Sequence, residues 1–204
     1  MIKIRLFMKV LFLVLSLCTL GITVPVQAMT PLKVAVLPAI NTANYKYMED
    51  VQIIQDELKY PFKYPYYSLI STELVATGTQ SFLSANKTIR LSDKQAMAEL
   101  AEKLSADIVI AVELSQVKLV EFSDFWQDEY YVESGIVLKC YAYSSVDREY
   151  HVIKVTRFET EPYSVNTNAA IFFKDLTGQI LEKLPYKRIP SKEWQEKMDY
   201  LSAR

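Results

Sequence analysis

The sequence predicts an α/β (α+β) fold: one mixed sheet with helices packed on it, in the order β-α-β-α-α-β-β-β-α. Three observations carry this. Two short apolar runs, Val34 to Leu37 and Ile108 to Val112, have the unbroken hydrophobicity of strands buried on both faces. Between and after them lie segments with apolar residues at helical spacing. From residue 107 onward come three long runs rich in Val, Ile, Tyr and Thr, joined by the short connectors "SDFWQD" and "SSVDRE". Helical crossovers suit parallel strands, and short connectors suit antiparallel ones, so the first half of the sheet is expected to be parallel and the second a meander.

The chain opens with Lys3, Arg5 and Lys9 around an apolar stretch from Val10 to Leu20, then Pro25 and the small-residue string Val26-Gln27-Ala28. This is the pattern of a secretory signal peptide, residues 1–28, cut after Ala28. Leu17 stands before Cys18 where a lipid-attachment signal wants a small residue, so no lipid anchor is expected. Cleavage leaves 176 of the 204 residues, with 20 basic against 24 acidic groups, a net charge of −4. That suits a single domain, 29–189, followed by a tail, 190–204, with a short helix. The acidic balance argues against a nucleic-acid partner and against docking on anionic lipid. No segment after the signal is apolar enough to span a membrane. The expected location is periplasmic or secreted.

Each element follows from local chemistry. Lys33 to Leu37 is the first strand, ending at Pro38. Tyr47 to Leu58 repeats Met48, Val51, Ile54 (or Gln55) and Leu58 at helical spacing. Pro61 and Pro65 make the aromatic stretch 59–65 a loop. Tyr66 to Ile70 is the second strand, and Ser71 or Thr72 caps a helix through about Leu83. Ser92-Asp93-Lys94-Gln95 fits a capping box with Ser92 as N-cap, before the stripe Met97, Leu100, Ala101, Leu104. Residues 107–122, 130–145 and 149–160 are the long strands. After Pro162, an amphipathic helix from Asn168 to Leu184 carries Phe172, Phe173, Leu176, Ile180 and Leu184 on one side.

The chemical inventory is short. The loop after the first strand, "PAINTANY", has no glycine, so its backbone cannot close on a phosphate as a nucleotide loop does. His151 is the only histidine, and no zinc-ligand spacing surrounds it. It reads as a partly exposed strand residue. Cys140, the one cysteine beyond the signal, reads as a small buried apolar side chain. Glu121, Asp124, Asp128 and Glu129 cluster at one connector without the spacing of a calcium loop, and read as a solvated turn. No cofactor and no metal are expected.

Aromatic residues are the strongest signal. All 14 tyrosines lie beyond residue 28. Tyr60, Phe62, Tyr64, Tyr66 and Tyr67 read as packing of a proline-bent loop over a helix. Phe122, Phe125, Trp126, Tyr130 and Tyr131 flank a turn, where side chains are usually polar. Aromatic clusters at such places are common in protein interfaces. These five residues are the candidate binding site, with Phe125 and Trp126 at an exposed apex.

The string "KVAVLP", the strand "YYSLIS", the helix-to-strand passage "AEKLSADIVIAVEL", the pair "GIVLKCYAYSSVDREYHVIKVTRFET" and the closing "AAIFFKDLTGQILEKL" resemble a family of small α/β domains in bacterial cell-envelope proteins. That family is typified by the curli secretion protein CsgG, the penicillin-binding-protein activator LpoB and the amino-terminal domain of TolB. The resemblance spans residues 33–184. Ser105 stands where the family pattern usually has Gly before Ala106. The resemblance implies a non-enzymatic, exported interaction module that assembles or regulates envelope machinery, with an envelope protein as partner. The competing readings are a hydrolase or other enzyme using the Glu121 to Glu129 carboxylates, and a structural envelope component that self-associates through its long strands.

Overall fold

Six strands and four helices build a mixed sheet in the computed structural model, which describes residues 30–85, 90–124 and 129–186. The predicted signal segment, the connector residues Phe125, Trp126 and Asp128, and the tail after Tyr186 lie outside the described residues. The elements are β1 (Leu32–Val36), β2 (Ile40–Asn41), α1 (Met48–Lys59), β3 (Tyr67–Leu69), α2 (Thr72–Ala85), α3 (Lys94–Leu104), β4 (Ile108–Asp124), β5 (Glu129–Ser144), β6 (Glu149–Pro162) and α4 (Ala169–Lys183). Apart from the two-residue β2, the predicted order holds.

The strands run β3-β1-β4-β5-β6, with β2 paired to β4. β1 is parallel to both β3 and β4, pairing Val34 with Ile108 and Val36 with Ile110. β4, β5 and β6 form the antiparallel meander. The two unbroken apolar runs are therefore adjacent buried strands, as their composition predicts.

Two cores sit on the two faces of the sheet. On one face Val51, Ile54 and Leu58 of α1 and Phe172, Phe173, Leu176 and Ile180 of α4 pack on Val34, Val36, Ile108, Ile110 and Leu138. On the other, Val75 and Phe82 of α2 and Met97, Leu100 and Ala101 of α3 cover Ala35, Val109, Ala111, Tyr141 and Tyr143. The sheet is covered on both sides only across β1 and the adjoining parts of β4 and β5, which is why those stretches are apolar at every position. Cys140 is free and fully buried, and burial pushes its thiol up to about 12, so it remains a neutral apolar side chain.

A bulge at Ser115 sets the geometry of the outer sheet. Leu114 pairs with Leu138 and Gln116 with Val137, leaving Ser115 as the extra residue, its Oγ donating to the Val137 carbonyl at 3.2 Å. Such an insertion reverses which side chains face which way. Before it, Ile110, Val112 and Leu114 face the α1–α4 core; after it, Val117 and Leu119 do. Gln116, Lys118, Val120 and Phe122 then point to the opposite side, beyond the reach of α2 and α3.

Local details correct three expectations. The cap of α3 is Asp93, whose carboxylate accepts from the Gln95 N–H at 3.3 Å. Ser92 instead gives its carbonyl to the Tyr150 hydroxyl at 2.6 Å, and the Gln95 side chain bonds Glu99, so the predicted box does not form. Met48 is exposed: it is the first residue of α1, and the buried stripe begins at Val51. In the 59–67 segment Phe62 and Tyr67 are buried edge-to-face with ring centroids 5.1 Å apart, whereas Tyr60 and Tyr64 face solvent.

Candidate functional site

β4 and β5 form one long hairpin whose described end pairs Phe122 with Tyr131, Ser123 with Tyr130 and Asp124 with Glu129. Strand alternation puts Phe122 and Tyr131 on the uncovered face. Their rings stack with centroids 5.9 Å apart and planes 21° from parallel. Phe122 keeps 42% of its surface exposed. The Tyr131 hydroxyl donates to Glu129 Oε2 at 2.8 Å, which fixes the outer end of the stack. Tyr130 is 67% exposed, and alternation points it to the other face. The sequence-predicted residues Phe122 and Tyr131 are thus brought together, Tyr130 is separated from them by the pleat, and Phe125 and Trp126 lie outside the described residues.

The same uncovered face carries two apolar side chains that reading the connector alone missed. Val120, two residues before Phe122, is exposed. Phe158 of β6 is 62% exposed and lies over Gly135 of β5, its cross-strand partner. The signal for both is phase: with Val155 facing the core, Phe158 must face outward, and the bulge at Ser115 turns Val120 and Phe122 out together. The Lys118–Glu133 ion pair, 2.6 Å and solvent-exposed, lies on this face between the Phe122–Tyr131 stack and Phe158.

On the opposite face near the same end, Tyr45, Tyr47, Glu49, Glu121, Val132 and Tyr163 border an open cavity of about 580 Å³. Tyr45 donates its hydroxyl to Asp50 at 2.9 Å and packs edge-on against Phe173; burial and the neighbouring carboxylate push its ionisation well above the ordinary tyrosine value. This end of the molecule is therefore aromatic and acidic on both faces.

A second polar cluster lies between the sheet and α2. Glu113 accepts from Thr42 Oγ1 and from the Tyr141 hydroxyl, each at 2.8 Å, with Lys139 Nζ 3.9 Å away. Burial opposes ionisation of Glu113, but the two hydrogen bonds and Lys139 outweigh it and hold its carboxyl below the ordinary range. Tyr141 moves the opposite way, raised by its own burial and by Glu113. Glu113 is thus an ionised, saturated acceptor, suited to anchoring β2 on β4 and unsuited to giving up a proton near neutral pH. His151 lies 3.2 Å from Glu149 on β6, a partly exposed strand residue as predicted. Among the described residues, no group of three or more His, Cys, Asp or Glu is placed to hold a metal ion.

No family model matches the chain. No curated protein matches it either. Among solved structures, it is similar to lipoprotein GNA1162 from Neisseria meningitidis, at 12% identity and a TM-score of 0.44, covering 75% of this chain and 100% of that one. It is also similar to hypothetical protein CT253 from Chlamydia trachomatis, at 14% identity and a TM-score of 0.44, covering 75% and 95%. The LpoB C-terminal domain from Salmonella enterica, one of the proteins named by the sequence resemblance, matches at 11% identity and a TM-score of 0.38, covering 66% and 87%. At these values the likenesses carry no argument about what this chain does. No helix among the described residues is long and apolar enough to cross a membrane.

Proposed function

We propose that this protein is an exported, non-enzymatic interaction module of the bacterial cell envelope that binds a protein partner through the β4–β5 hairpin and the adjoining face of β6. One observation carries the reading. The Phe122–Tyr131 stack, with Val120 beside it and Phe158 two cross-strand rows further along, presents exposed apolar side chains on a sheet face left uncovered by any described helix. Exposed aromatic side chains on a rigid sheet supply contact area with little conformational entropy to lose, and such residues dominate interface energetics. The carboxylates on the same face, Glu129 and the Lys118-paired Glu133, favour a partner whose rim is basic.

The test compares the wild-type chain with Phe122→Ala/Phe158→Ala in affinity capture from envelope extract, followed by mass spectrometry. The reading predicts one or a few proteins retained by the wild type and lost by the variant, with both chains melting at nearly the same temperature. Identical retention by the two chains would sink it.

A further inference from the structure

We infer that the free edge of β6 pairs with β6 of a second copy, forming an antiparallel two-fold dimer centred on Val155. β6 ends the strand order, so among the described residues its outer backbone N–H and C=O groups face no strand. The strand is long, 14 residues, and pairs with β5 in unbroken register from Ser144–Glu149 to Tyr131–Pro162. Free edges are ordinarily blunted by bulges, by prolines or by being short. β6 is straight in register, and its one proline is its last residue. An edge of this kind offers main-chain hydrogen bonds to an added strand.

The side chains say which strand fits. In an antiparallel pair of identical strands centred on Val155, Val152 lies opposite Phe158 of the other copy, and the contact occurs twice by symmetry. These are the two exposed large apolar residues of β6, at 58% and 62%. Both are on the same face of the sheet, the one that carries Tyr141 and Gly135 of β5. On the other face the same register sets His151 opposite Glu159, again twice. Shifting the register by two residues loses this match. Centred on residue 154, Lys154 meets its own copy; centred on residue 156, Val152 meets Thr160 and Lys154 meets Phe158. The pairing shares Phe158 with the proposed partner surface, but Val152 lies outside that surface. Val152→Lys therefore tests the pairing separately from partner binding, and Phe122→Ala tests partner binding separately from the pairing.

The experiment is sedimentation equilibrium on the purified protein and on two single variants, Val152→Lys and Phe158→Glu. Both sites are more than half exposed, so melting temperatures should stay near that of the wild type. The wild type is expected to show a reversible monomer–dimer equilibrium. Each variant alone is expected to dimerise about tenfold more weakly or worse. Mixing the two variants is expected to restore association, because a heterodimer sets the introduced lysine opposite the introduced glutamate and leaves one Val152–Phe158 contact intact. A wild-type chain that remains monomeric at every concentration overturns the inference. So does a dimer that neither variant weakens, or a mixture that associates no better than its components.

Discussion

Asp107 and Lys33 hold the start of β4 to the start of β1 through two hydrogen bonds, one to the Asp107 side chain and one between backbones. The Lys33 N–H donates to Asp107 Oδ2 at 2.7 Å, and the Asp107 N–H donates to the Lys33 carbonyl at 2.8 Å. The Asp107 carbonyl in turn accepts from the Ser145 N–H at 2.8 Å, so one residue ties β1, β4 and the turn after β5 together. Replacing Asp107 by Ala leaves the Lys33 N–H without its acceptor and should cost about 1–2 kcal/mol. Asp107→Asn keeps an acceptor oxygen and should cost less. Denaturant unfolding of the two variants checks the order; equal losses would show that the side-chain bond contributes little.

Ser105 closes α3 in the left-handed region, with φ of 50° and ψ of 43°. Its N–H reaches back to the Glu102 carbonyl, and the Ala106 N–H to Ala101. A side chain with a Cβ is strained there, and glycine is the residue usual at such a left-handed helix end. Ser105→Gly should therefore stabilise the fold by about 1 kcal/mol and raise Tm by about 2–4 °C. A fall in Tm would mean that the serine side chain makes a compensating contact.

The paired strands β1 and β4 predict a severe phenotype at their centre. Val36 and Ile110 are partners in the register and both are buried. Val36→Asp or Ile110→Asp places an unpaired charge there at a cost of several kcal/mol, against a total stability of about 5–15 kcal/mol. Neither variant should show a cooperative thermal transition. A soluble, cooperatively melting variant would contradict the assignment.

Glu113 gives a pH signature. Its carboxyl is held below the ordinary range in the folded state, so it binds a proton less readily folded than unfolded. The stability it contributes is present above the unfolded carboxylate value of about 4.3 and is lost as pH falls through the lower folded value. The stability advantage of the wild type over Glu113→Gln should be constant above about pH 5.5 and shrink below pH 4. An advantage that does not change with pH would assign the effect to shape.

The fold was legible in the sequence where periodicity and composition agree. The continuous apolar runs at 34–37 and 108–112 identified central strands, and Asn168 before the Phe172/Phe173 stripe located α4, whose cap it forms with a 3.0 Å bond from the Ile171 N–H. The cap of α3 was misplaced by one residue because Ser92 and Asp93 are both good caps. A distant contact decided between them: Tyr150, 58 residues away in sequence, takes the Ser92 carbonyl. The aromatic site was half legible. Phe122 and Tyr131 stand out in a connector, but Val120 and Phe158 join them only through the bulge at Ser115 and the pairing of β5 with β6. The bulge leaves a local trace, since the core-facing residues step from Leu114 to Val117 in place of the usual two-residue interval. Phe158 leaves none until the register with Gly135 is known.

The most direct test places a photo-activatable benzophenone side chain at position 122 and, as a control, at Gln52, an exposed position on α1. Both proteins are expressed in cells, irradiated, and resolved by gel and mass spectrometry. A binding surface at the hairpin predicts a discrete adduct with one envelope protein from position 122, absent from position 52 and abolished by Phe158→Ala in the same chain. No adduct from position 122, or the same adduct pattern from both positions, would contradict the account.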